Sequence, residues 1–188
     1  SSHWKYLREV TNGYSEGIFY FNTTRSSFRV NLIATDSLII YFNLSDEKNK
    51  KVVSRYENTA LFDSMKVSFK NTFRIALDTN GLFNVSVVFG FAGCGYAGIP
   101  PREKFMIDEL IREKDHIAFQ KMLGSTTTEM QVYAVLGFYE LKKQGDIITP
   151  IEMEMINAVR RKKGTIITCM GCTSGEQDIG SVTGMFYF

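Results

Sequence analysis

No stretch of this chain approaches the roughly 20 consecutive apolar residues that a membrane-spanning helix needs, so the sequence predicts no transmembrane segment. Histidine is scarce: His3 and His116 are the only two, neither near a candidate nucleophile, and a histidine-based hydrolase has little to work with. His116 follows Asp115, but neighbours i and i+1 on a helix point in different directions, so adjacency makes no dyad and His116 reads as a surface or boundary residue. His3 is expected in a mobile terminus. Cysteine is nearly as rare. Three residues, Cys94, Cys169 and Cys172, are too few for a disulfide framework and do not form a paired zinc-ligand set. An excess of one charge is also missing. The 22 basic and 20 acidic residues leave +2, spread evenly along the chain, which is too little to mark a nucleic-acid or acidic-membrane partner.

What is present is the material of an ordinary globular protein: 188 residues, 44% hydrophobic and 22% charged, with 15 Phe and 9 Tyr to fill a core. That length suits one domain or two small ones. The chain starts Ser1-Ser2-His3, as a processed product does; a removed export signal and a tag scar give the same start. Sequons at Asn22, Asn43 and Asn84 are close to the number chance produces and prove nothing. Export is the favoured location.

Residues 1–90 read as β-rich. Gly17 to Phe21 is an aromatic run suited to a pleated sheet, and Phe28, Val30 and Leu32 alternate with Arg29 and Asn31 at half-buried strand spacing. Leu38 to Phe42 is apolar throughout, as in a strand covered on both faces. Ser45 to Lys51 reads as a loop. Met65, Val67 and Phe69, then Phe73, Ile75 and Leu77, alternate ahead of Asn80-Gly81, which predicts a hairpin with a type I′ turn followed by a strand over Leu82 to Phe89. The fold class expected is α+β: an antiparallel sandwich or open barrel of six or seven strands, a Gly/Pro hinge over 91–101, and a three- or four-helix half over 102–188 with a possible terminal strand pair.

In that second half the period changes. Phe105, Met106, Leu110 and Ile111 recur at helical spacing, Asp115 caps a second helix, and Thr126 to Glu129 offers a capping box for a third. Thr149-Pro150-Ile151-Glu152 predicts a fourth, from cap and proline, running to about Lys163 and stopping at Gly164. Thr165–Thr168 and Val182–Phe188 are expected to pair as strands. With Leu110, Phe119 and Leu123 before a turn, and Val132 to Val135, Phe138 and Leu141 after it, residues 108–145 resemble a single helical pair of the HEAT or armadillo kind. The resemblance covers about a fifth of the chain, and it implies a scaffold for protein contact.

Four motifs could carry chemistry. Gly93-Cys94-Gly95-Tyr96-Ala97-Gly98 spells the G-x-G-x-x-G of dinucleotide folds, yet Ile99-Pro100-Pro101 separates it from the next helix and antiparallel hairpins precede it. It reads as a crossover, and no nucleotide or other cofactor is expected. Cys169 and Cys172 have C-x-x-C spacing, open to a structural disulfide, two inert thiols, a disulfide involving Cys94, or redox and metal work. Arg160 to Lys163 places four cations at the negative end of a helix. Glu152 and Glu154 read as a capping residue and a solvent-facing one. With no catalytic set assembled, the function expected is a non-enzymatic protein-binding or structural module, acting through exposed sheet edges or the helical half. A thiol-redox or metal protein using Cys169 and Cys172 is the alternative.

Overall fold

In the computed structural model, which describes residues 2–95 and 97–188 (for 2–5 the backbone only), five antiparallel strands lead into helices. The strands are β1 (Ser2–Thr11), β2 (Tyr14–Asn22), β3 (Ser27–Ala34), β4 (Ile39–Asp46) and β5 (Lys51–Glu57), in the order β1-β2-β3-β4-β5. This is an open meander, neither closed nor sandwiched. It is also one strand longer at its start than the pattern showed, since His3 lies in β1, paired in register with Tyr20. The loop expected over 45–51 shrinks to a tight turn, because β4 runs to Asp46 and β5 begins at Lys51. Nor is the start of β4 covered on both faces: Leu38 and Ile39 are exposed and Ile40 is fully buried.

The hairpin expected over residues 65–89 is absent. Residues Thr59–Phe73 form helix α1, with Asn58 Oδ1 accepting from the Leu61 N–H as its cap. Met65 and Phe69 fit both a two-residue and a four-residue period. Phe62 and Phe73 decide for the helix, since the four make one buried stripe while Val67 is 59% exposed. Each such fully buried side chain is worth about 1.5–3 kcal/mol. Asn80-Gly81 closes a 3-10 turn (Thr79–Gly81) capped by Asp78, not a hairpin.

The helical half follows its punctuation more closely. Helices α2 (Arg102–Glu113), α3 (His116–Leu123), α4 (Thr128–Lys143) and α5 (Pro150–Arg160) form, with Asp115 capping α3 and the Thr149/Glu152 box capping α5. The box expected at Thr126 does not form: Thr127 is the N-cap without a side-chain bond, and Glu129 turns inward. Strand β6 (Thr165–Met170) pairs with β7 (Thr173–Asp178) around Gly171-Cys172, not with Val182–Phe188. Asp178 instead caps the short helix α6 (Ile179–Thr183), and Val182 and Phe186 drop into the core. One buried cluster joins Ile33 and Ile40 of the sheet, Phe69 of α1, Val132 to Leu136 of α4 and Ile166 of β6. At Gly164, whose φ is +107°, a Cβ would lie 2.4 Å from the Leu7 carbonyl; only glycine lets the chain pass so close to β1. Among the described residues, no helix is long and apolar enough to cross a membrane.

Candidate functional site

The cysteines do not meet as the C-x-x-C spacing suggested. Cys169 is bonded to Cys94, 75 residues earlier, and Cys172 is an exposed free thiol in the β6–β7 turn. The glycine-rich crossover is tied to the same place: Gly95 N–H donates to the Gly171 carbonyl and Gly171 N–H to the Gly93 carbonyl. Tyr96 lies outside the described residues. Helix α2 opens only at Arg102, so no helix N-terminus sits on Gly95, and the nucleotide geometry is absent. Among the described residues, no group of three or more His, Cys, Asp or Glu could hold a metal.

His116 has a partner, though not its neighbour. Its Nδ1 lies 2.8 Å from Glu152 Oε1, while Asp115 is occupied as the α3 cap. Burial works to raise the Glu152 pKa. Hydrogen bonds from Gln120, the Thr149 N–H and His116 outweigh it and hold this carboxyl below its ordinary value. Glu152 thus joins α3 to α5 besides capping, and Glu154 is exposed beside Arg74 as a surface charge. On the other side of the ring, His116 Nε2 lies 3.7 Å from Asp146 Oδ2, so the imidazole ties α3 both to α5 and to the loop before it.

A larger polar centre lies inside the sheet. Arg8 on β1 donates Nε to Glu16 Oε1 at 2.9 Å and Nη1 to Glu129 Oε2 at 2.7 Å, with all three side chains buried. Burial acts to lower the Arg8 pKa, but the two carboxylates more than offset it and hold the guanidinium charged. The second oxygen of Glu16 accepts from the Phe83 N–H at 2.8 Å, and Arg29 donates to the Phe83 carbonyl at 3.0 Å. These bonds hold Phe83 at φ +62°, an unfavourable conformation for a bulky residue, with its ring stacked on Tyr41. Lys162 is the correction to the basic run. It lies beyond the last turn of α5, buried, with Nζ donating to Gln131 Oε1 at 2.7 Å. Burial, then the nearby Arg8 charge, push its pKa down to about 7. These groups satisfy one another, with Lys162 lining a small cleft beside Glu9, Thr72 and Arg161 and Phe83 on the wall of a larger one beside Arg55 and Lys66.

The sheet register shows where the free surface is. Helix α1 packs on the face carrying Tyr41, whose ring meets Phe62. That inner face is unusually polar: Arg8, Glu16, Arg29, Asn31 and Asn43 share it with Ile18 and Ile33. The outer face is the reverse. Tyr56, Phe42, Leu32, Gly17 and Leu7 form one cross-strand row, and Leu44, Val30 and Phe19 the next. Phe28 and Phe21 follow, their rings stacked 5.0 Å apart. Leu7 and Tyr56 are 50% and 45% exposed and the other large side chains are half-buried; among the described residues no second layer lies over them. The alternation of β3 shows in the sequence. Which parity faces the helices does not, since it is set by Arg8, Arg29 and Glu16 finding partners in α4 and the Phe83 loop. No family model, curated protein or solved structure matches the chain.

Proposed function

We propose that this chain is a non-enzymatic binding module that docks another protein on the outer face of its five-stranded sheet. One observation carries the reading. The polarity of the sheet is largely inverted, with Arg8, Glu16 and Arg29 turned toward the helices and the rows through Phe42 and Leu44 turned away from them. Soluble proteins rarely leave a contiguous apolar patch of several hundred Å² uncovered unless something binds there. The helical segment 108–145 offers less free surface, because α4 is buried along most of its length. No cofactor and no nucleic acid enter this reading.

A photo-crosslinking residue placed at Leu44 on the outer face, and in a second protein at Ile117 on α3, tests it. Protein adducts are expected from Leu44 and not from Ile117. Equal labelling at both positions, or none at either, would remove the proposal. The thiol reading rests on Cys172, exposed and next in the chain to Gly171, which bridges Cys94. Titration with a small thiol tests it: attack on the Cys94–Cys169 bond within minutes, giving a mixed disulfide from which Cys172 then displaces the small thiol, would promote that reading over the docking one.

A further inference from the structure

We infer that the occupant of the outer sheet face is a second copy of this chain, the two sheets packing face to face about a two-fold axis that crosses the strands near Val30. The inference rests on the docking reading and names its partner.

Three observations favour a second copy. In a two-fold interface each patch meets itself, so a charged patch would repel its mate. The rows through Phe42, Leu32 and Leu7 and through Leu44, Val30 and Phe19 hold no charged side chain. The size is also sufficient. Five strands about 4.8 Å apart and eight residues at about 3.4 Å each span roughly 650 Å² for the whole face, the Phe28 row with Asp46 and Lys51 included. Two copies therefore cover about 1,300 Å², inside the roughly 1,200–2,000 Å² of stable interfaces. Two antiparallel sheets packed in this way, about 10 Å apart, are an ordinary β-sandwich core.

Charge at the ends of the sheet sets the direction of the axis. The β2–β3 and β4–β5 turns share one end and carry exposed Arg25, Lys48, Lys50 and Lys51, against Asp46 and Glu47. The β3–β4 turn and the end of β5 share the other, with exposed Asp36 and with Glu57 beside Arg55. An axis parallel to the strands would place basic end on basic end. An axis across them sets each basic end over its mate's acidic end, and Val30, midway along the central strand β3, lies closest to it.

Light scattering during size-exclusion chromatography, from about 1 to 100 µM, should give a mass rising to twice the 21.4 kDa of one chain. Val30→Glu should weaken the dimer at least tenfold while leaving the far-ultraviolet circular dichroism unchanged. Zero-length carbodiimide crosslinking of the unaltered protein should join Asp36 to Lys48 or Lys50. Within one chain these residues sit at opposite ends of the sheet, roughly 27 Å apart, so the link must be between copies. A monomer throughout the range overturns the inference, as does a dimer whose crosslinks avoid this face. A monomer that binds neutral phosphatidylcholine vesicles overturns it in favour of a lipid surface. If the chain is monomeric yet Leu44 captures a different protein, only the second-copy inference falls; if Leu44 captures nothing, the docking reading falls with it.

Discussion

Arg8 and Glu129, 121 residues apart, form a buried two-pronged ion pair, with Arg8 Nη1 at 2.9 and 2.7 Å from the two carboxylate oxygens. Through it the first strand is tied to the first turn of α4, and Glu129 Oε1 also accepts from the Ile167 N–H of β6. Three elements therefore converge on one carboxylate.

Removing one partner of a buried pair leaves an uncompensated charge, which typically costs 3–5 kcal/mol. Arg8→Met strands both Glu16 and Glu129, so urea denaturation should show a loss of about that size, at the upper end. A loss below about 1 kcal/mol would mean that the centre is open to water.

Stability should rise with pH above neutrality because of Lys162. Its pKa is about 7 in the folded protein against 10.5 unfolded. Between those values the unfolded chain holds more protons, so each increase in pH favours the fold; below 7 both states are protonated and the contribution is absent. Urea midpoints at pH 7, 8 and 9.5 should climb in the unaltered protein. In Lys162→Met that climb should flatten.

With Cys94 and Cys169 joined, iodoacetamide applied to the native, unreduced protein should label Cys172 alone, and peptide mapping should recover one crosslinked pair. Cys94→Ala removes a link between residues 75 apart and should cost about 2–5 kcal/mol. Label on Cys94 or Cys169 would refute the pairing.

Gly137 reverses a familiar rule. In an exposed helix, Gly to Ala gains about 1 kcal/mol. In α4 the added Cβ would lie 2.2 Å from Phe119 Cε1 of α3. Gly137→Ala should therefore destabilise by about 1–3 kcal/mol through overpacking, seen as a lower thermal midpoint. A higher midpoint would mean that α3 and α4 are loosely packed.

Much of this protein is local and can be read directly. The Thr149-Pro150-Ile151-Glu152 box, the Asp115 cap and the meander over β2 to β4 all appear in the folded chain, because caps and periodicity act over a few residues; the change from strand to helix comes at Thr59 rather than near residue 100. Over residues 59–89 the pattern is ambiguous, because Met65, Val67 and Phe69 alternate in sequence. Only the packing of Phe62 and Phe73 against the core chooses the helical period.

The candidate site was half legible. Its residues stand out as apolar strand positions alternating with the polar Arg29 and Asn31, but a period of two does not say which parity faces outward. That choice depends on contacts between residues far apart in the chain: Arg8 with Glu129 and Arg29 with Phe83. Residue types and short spacings settled where strands and helices lie. The tertiary structure alone decided which face of the sheet is left uncovered, because buried charges must find partners and those partners lie far along the chain.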